Sequence, residues 1–372
     1  MTFKATKERL VKLDALRVLS MLLIVLLHSV DHSGVLEAAN DKGGFPYLYT
    51  YLIFFLSKIS VNCFVLISGY FLVDGKFKLK KLITLWMEVV FYSIFFKLLF
   101  MLSGKTPFSL VSLISCFFPV FTGRYWFVTI YFAMYLLSPF YNIAIHAMNK
   151  KQLSLCMVLL FVIFSVWISV YPSFAGPNAG RGWGLPWFTV LYFSGAWFRL
   201  YYTPMIISNR LKVSAWLLAA VFASVFCYFG NQFLPILKIL VWNWYSYDSV
   251  PVFIFSLVMF SCFLRMKEPS PGMSSFISKI SAATFGIYLI HAHANVSPWI
   301  WEKLHLPQFM DSASFPIIHL GSVLLVFFVC AGIDCIRQAT IGRIEKLSVI
   351  DGISNKTQAM FEDKFHAFVS RD

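Results

Sequence analysis

The sequence predicts an all-α polytopic membrane protein, a bundle of about ten transmembrane helices with both termini in the cytoplasm. Three observations lead there. Of 372 residues, 59% are hydrophobic and only 13% are charged, too few charges to coat a soluble surface. The mean hydropathy is +0.73. Apolar stretches long enough to cross a bilayer recur along the whole chain, and the polar segments between them are rich in Lys and Arg.

In order, these stretches cover residues 13–30, 47–73, 83–102, 125–145, 153–171, 185–200, 213–230, 250–264, 280–296 and 315–336. Trp and Tyr crowd many of their ends, as interfacial anchors do. With the N-terminus inside, 22 of the 31 Lys and Arg fall in inner segments and six in outer loops, and that bias sets the orientation. It also accounts for the net charge of +14, so membrane lipids, and no nucleic acid, are the expected partners. The first stretch is long and no small-residue cleavage site follows it, so it is expected to be retained.

Between the spans, residues 108–121 are apolar but short, suited to re-entering the membrane or lying along its outer surface. Residues 231–249 (NQFLPILKILVWNWYSYDS) are expected to form part of an outward-facing lip. After Arg337 the chain reads as a short amphipathic helix and then disorder. This divides the protein into a transmembrane domain, residues 1–340, and a cytoplasmic tail, residues 341–372. No segment outside the membrane is large enough to be a catalytic domain, so any chemistry belongs to the bundle. The seven cysteines (Cys63, Cys116, Cys156, Cys227, Cys262, Cys330, Cys335) are scattered, with no CxxC pair. They read as buried thiols, and no metal site is expected.

Ionisable residues inside apolar stretches mark candidate chemistry, because placing them there is costly. Arg17 and His28 bracket the run VLSMLLIVLL. Eleven helical steps put both on one face, about 16 Å apart along the axis. Arg17 reads either as a snorkelling arginine paired with Asp14 or as a guanidinium that grips phosphate at the mouth of a cavity. His28 reads either as an interfacial side chain exposed to water or as a general base facing the interior. Lys58 and Asn62 share a face of the second span. Ser68-Gly69 suits close approach by another helix or by a ligand. Lys76, Lys78, Lys80 and Lys81 form an inner basic run that is also placed to hold phosphates. In the fourth span, Trp126 is a belt candidate, while Tyr131 and Tyr135 suit a polar cavity. In the ninth, Tyr288 and His291 lie on one face, with His293 beyond. Glu88, Lys97 and Asp334 are further intramembrane charges.

Together these segments resemble the acyltransferase-3 family of bacterial integral-membrane acyltransferases, particularly the stand-alone surface-polysaccharide O-acetyltransferases. The residues that carry the likeness are Leu13-Asp14-Ala15-Leu16-Arg17 with His28, matching the family's Arg-x10-His signature, and residues 64–71 (FVLISGYF). Trp126-Phe127 with Tyr131 and Pro139, and residues 284–291 (TFGIYLIH), complete the pattern. The likeness runs from about residue 11 to residue 336. Where family members carry an Arg-x-x-Arg pair after the second helix, this chain has Lys78-x-x-Lys81, which keeps charge but not the bidentate fork.

The resemblance implies acyl transfer, usually of acetyl, from cytoplasmic acetyl-CoA to a hydroxyl on a cell-surface glycan or its lipid-linked precursor, at the bacterial plasma (inner) membrane. It implies that Arg17 bears on the donor and His28 on the transfer. The residues fit that scheme: Arg17, Lys76, Lys78 and Lys81 hold the donor's phosphates, and His28 deprotonates the acceptor or itself carries the acyl group. Lys58, Asn62, Ser68, Trp126, Tyr131, Tyr288 and His291 serve the acceptor or the oxyanion. A transporter or flippase of a glycolipid or anionic substrate is the competing class, with no internal repeat to favour it.

Overall fold

The computed structural model describes residues 9–170, 180–203, 208–233, 244–342 and 357–359. These residues contain helices, turns and irregular segments and no strand. The helices are α1 Val11–His32, α2 Val35–Lys42, α3 Gly44–Leu72, α4 Leu79–Leu102, α5 Leu110–Ile114, α6 Trp126–Ala147 and α7 Lys150–Phe161. A π turn, Val162–Val166, joins α7 to α8 Trp167–Val170. There follow α9 Leu185–Tyr201, α10 Asn209–Phe233, α11 Val250–Arg265, α12 Pro271–His291, α13 Val296–Leu304 and α14 Phe315–Thr340.

Each of the ten expected stretches holds a helix. Among the described residues, eight helices are long and apolar enough to cross a membrane, with α7, the π turn and α8 counted as one continuous run. The helices at the sixth and eighth expected stretches are shorter, 17 residues in α9 and 16 in α11. Local sequence explains many of the starts. Four helices, α9, α11, α12 and α14, carry proline in their first turn, where its missing N–H is no loss. Asn149 and Gln152 form a reciprocal capping box at α7. Pro139 lies inside α6 and leaves the carbonyl of Tyr135 without its usual partner. The Ser138 hydroxyl donates to that carbonyl at 2.7 Å, so the helix continues.

Polarity is inverted relative to a soluble protein. Ser57, Ser60, Asn62, His291, His319 and Asp334 are fully buried, whereas Leu102, Leu218, Phe222 and Ile317 are more than 60% exposed. Outward apolar side chains with inward polar ones are what a bilayer demands. At the centre stands α3, packed against α1, α9, α10 and α11. It crosses α9 with backbones nearly touching. A Cβ on Gly69 would collide with the carbonyl oxygen of Tyr192, and one on Gly195 would collide with that of Leu66. The two glycines therefore set the crossing distance, and any side chain there would drive the helices apart.

Two of the intramembrane acids find their cation near the end of α14. Arg337 bonds Glu88 of α4 at 2.9 Å and Asp334 at 2.8 Å. Asp334 also accepts from Tyr92 at 2.7 Å and from Gln338 at 2.7 Å. Gly286 makes room, because a Cβ there would overlap the Asp334 carboxyl group. This buried network ties α4, α12 and α14 together and satisfies charges that would otherwise be prohibitive in lipid.

Residues 108–121 lie along the surface rather than entering the bundle. They hold α5 and a 3₁₀ turn, Ser115–Phe117, with Phe108, Val111 and Phe121 each more than 75% exposed. Arg124 anchors them through the Ser112 carbonyl at 3.0 Å and the Ser115 hydroxyl at 2.7 Å. The expected lip divides. Residues 234–243 lie outside the described residues, whereas Tyr245, Ser246, Tyr247, Asp248 and Ser249 are buried and turn into the bundle. Most of the expected tail also lies outside the described residues. Within it, Thr357, Gln358 and Ala359 form a helical turn.

Candidate active site

A cavity of about 310 Å³ runs inside the bundle between α1, α3, α6 and α12, with Lys81 of α4 at one end. From α1 it is lined by Arg17, Met21, Ile24 and His28. Their spacing of four, three and four residues is a single helical stripe. The cation and the imidazole therefore share one chamber, separated along the helix by about 16 Å.

The Arg17 end is basic and polar. Asp14, only 4% exposed, is shared by Arg9 at 2.5 Å, Arg17 at 2.6 Å and the Ser281 hydroxyl at 3.1 Å. Nη1 of Arg17 is thereby held, and its other N–H groups have no hydrogen-bond partner among the described residues. The side chain remains 32% exposed. Arg17 is both paired with Asp14 and turned to the cavity, because the ion pair aims the guanidinium into it. Opposite it, the Lys81 ammonium lies 3.4 Å from the Tyr131 hydroxyl and 5.0 Å from the centroid of the Tyr135 ring. Ser68 lines this same end. The Ser68-Gly69 pair thus divides its work, Gly69 admitting α9 and Ser68 facing the cavity. The middle of the chamber is walled by Met21, Ile24, Val61, Phe64 and Ile67, an apolar sleeve between two polar ends.

At the far end, Nδ1 of His28 lies 3.0 Å from Nε2 of His291. Nδ1 of His291 lies 2.6 Å from the Ile287 carbonyl oxygen. A carbonyl only accepts, so Nδ1 of His291 carries a proton, and in the neutral ring Nε2 is the bare nitrogen. His28 must then donate from Nδ1, which leaves its lone pair on Nε2. Among the described residues no side chain or backbone group bonds that nitrogen, and His28 faces the cavity. His32 stacks on the ring from the other side, centroids 4.9 Å apart, and is itself held by Ser297 at 3.0 Å. The histidine faces the interior, in the tautomer a base requires.

Around His28 the wall is aromatic. Tyr288, Trp126 and Tyr247 line it, and Trp126 stacks on Trp183 at 5.1 Å. Tyr247, like Ser281 and His32, is not singled out from the sequence; for Tyr247 the reason is that the 231–249 loop carries no helical period to assign it a face. Its backbone is fixed by Asn62, which donates to the Tyr247 carbonyl at 2.8 Å and accepts from Trp187 at 3.1 Å. Asn62 is thus occupied and fully buried, outside the cavity lining. Lys58 also stands behind the wall, its ammonium 4.2 Å from the Phe54 ring centroid and 5.0 Å from that of Tyr247. Next to Tyr247, burial pushes the Asp248 carboxyl up to about 6, against the hydrogen bond it accepts from Ser246 at 2.5 Å.

Of the residues singled out from sequence, the structure brings Arg17, His28, Ser68, Lys81, Trp126, Tyr131 and Tyr288 into one cavity. Ser68 and Tyr131 fall at the Arg17 end, Trp126 and Tyr288 at the His28 end. His291 stands behind His28. Lys76 and Lys78 are exposed on the adjoining loop. Among the described residues no group of three His, Cys, Asp or Glu side chains is placed to hold a metal.

Fold and site together define a polytopic membrane protein built around a chamber within its helix bundle, with a guanidinium at one end and an imidazole at the other. The family model described as "Acyltransferase domain" (Acyl_transf_3) matches residues 10–336, and the chain belongs to that family. It is a membrane acyltransferase. No curated protein and no solved structure matches it.

Proposed function

We propose that this protein moves an acetyl group from cytoplasmic acetyl-CoA to a hydroxyl of a cell-surface glycan or its lipid-linked precursor, across the bacterial plasma membrane. One observation carries the reading: Arg17 and His28 line the same cavity from the same stripe of α1. The donor's phosphates rest at the Arg17 and Lys81 end, where fixed cations suit them. The pantetheine arm follows the apolar sleeve past Met21 and Ile24 and delivers the thioester to His28.

Nε2 of His28 takes the acceptor's hydroxyl proton as the oxygen attacks the thioester carbonyl carbon. The C–S bond then breaks, and the departing CoA thiolate takes the proton back from the imidazolium. The products are the acetyl ester and CoA-SH, with His28 restored. Tyr288 suits the oxyanion, since it lines the chamber near His28 whereas Asn62 and Lys58 do not. Trp126 and Tyr247 give an acceptor sugar a flat apolar surface.

The test is transfer from labelled acetyl-CoA by purified protein in lipid nanodiscs. His28→Ala should abolish transfer while CoA binding and thermal stability persist. A His28→Ala protein that still acetylates would reject the assignment.

A further inference from the structure

The chain at residues 77–79 links α3 to α4 beside the basic end of the cavity. Its sequence gives α4 a poor start. No acidic residue lies in the first turn, and the Lys78 side chain makes no capping hydrogen bond. Lys78, Lys80 and Lys81 instead add positive charge to the positive end of the helix dipole, which destabilises it. Left alone, such an end frays. An anion-binding loop nonetheless needs that uncompensated charge.

The missing cap comes from far along the chain. Oε1 of Gln358 accepts from the backbone N–H of Leu79 at 2.8 Å, and its Nε2 donates to the Phe77 carbonyl at 2.8 Å. On the residue between them, the Tyr135 hydroxyl accepts from the Lys78 N–H at 3.1 Å and donates to the Lys78 carbonyl at 3.2 Å. Four consecutive backbone groups are thus held by two side chains from distant segments, with Lys78 in extended conformation (φ −132, ψ 106). Lys81, three residues on, lines the cavity.

We infer that Gln358 is a positioning residue for the donor: its amide clasps residues 77–79 and holds the lysines where CoA phosphates bind. Residue 358 lies beyond the family match of 10–336, so this clasp is an addition to the shared domain. The inference rests on the donor reading above. A neutral amide secures the helix end without cancelling the charge that the donor requires, as a carboxylate cap would.

The experiment uses the full chain in nanodiscs, with CoA itself as the probe. Gln358→Ala should raise the Kd for CoA at least about fivefold, the scale of two lost hydrogen bonds. It should raise KM for acetyl-CoA equally and leave kcat at saturation within about twofold. Amide exchange in peptides covering 77–82 should accelerate. Tyr135→Phe, which releases the same link, should do likewise. A chain ending at Thr340 is the third variant and should show the same rise. Wild-type binding of CoA with an unchanged Kd in Gln358→Ala, or a loss confined to kcat, overturns the role of Gln358. Wild-type protein that binds no CoA overturns the donor reading itself.

Discussion

Nε2 of His291 faces Nδ1 of His28 across 3.0 Å, while its own Nδ1 is committed to the Ile287 carbonyl. His28 is therefore backed by a neutral acceptor where many enzyme histidines have a carboxylate. A carboxylate would add a second buried charge in the membrane. A neutral imidazole locked by its own helix sets the tautomer without one.

This arrangement predicts a graded series at position 291. His291→Leu removes the acceptor, freeing His28 to rotate and to adopt the other tautomer. Its kcat should fall about 100-fold, within the range of misplaced acid–base catalysis. The Kd for CoA should stay within about twofold, because His291 is at the far end of the cavity from Arg17. His291→Gln retains a side-chain oxygen that accepts and should lose much less. Single-turnover rates at saturating acetyl-CoA make the comparison, and a wild-type rate in His291→Leu would show that the pairing is irrelevant to transfer.

At the other end, Arg17→Lys tests whether the guanidinium's shape matters. Lysine keeps the charge, but an ammonium held by Asp14 has no planar fork with which to present paired N–H groups to a phosphate. Asp14 retains Arg9 at 2.5 Å and Ser281 at 3.1 Å, so the bundle should fold. The Kd for CoA should rise about tenfold, equivalent to about 1.4 kcal/mol. Equilibrium titration reads it directly. An unchanged Kd alongside normal folding would place the donor elsewhere.

What the sequence reveals follows its periodicity. Arg17, Met21, Ile24 and His28 recur at helical spacing, so their common face is legible from the spacing alone. Trp126 and Tyr131 of α6 and Tyr288 of α12 are legible for the same reason, whereas Tyr135, expected beside Tyr131, stands outside the cavity lining with its hydroxyl on the Lys78 backbone. Tyr247 is not legible, because it sits in a turn that has no period. Partners distant along the chain are equally hidden. Arg337 pairs with Glu88 across 249 positions, and His28 meets His291 across 263. Asn62 shows the limit of face arguments: it lies one helical turn from Lys58, yet its amide is consumed by Tyr247 and Trp187. Only packing decides that.

Asp248 gives the protein a pH signature. Its carboxyl is raised from 3.8 to about 6 by burial, so the folded state binds the proton more tightly than the unfolded chain. The resulting stabilisation is fully present below about pH 4 and is lost as pH rises through about 6. Its size is about 3 kcal/mol at most. Asp248→Asn should therefore melt higher than wild type at pH 7.5 and match it near pH 4. Melting curves of nanodisc-embedded protein at the two pH values check this. A variant less stable at pH 7.5 would mean that the charged form is the one the turn needs.

Ile24 offers the most direct test of the passage itself. It is 5% exposed, yet it lines the cavity between the cation and the base. Ile24→Trp fills the sleeve without touching either polar end. Its steric cost is limited, because the added rings enter existing space rather than a packed core. Transfer should be lost while binding of adenosine 3′,5′-bisphosphate, which lacks the pantetheine arm, remains within about twofold of wild type. Ile24→Ala widens the sleeve and should keep transfer. Were Ile24→Trp to transfer acetyl at the normal rate, the thioester would have to reach His28 by another path, and the shared stripe of α1 would be packing rather than a route.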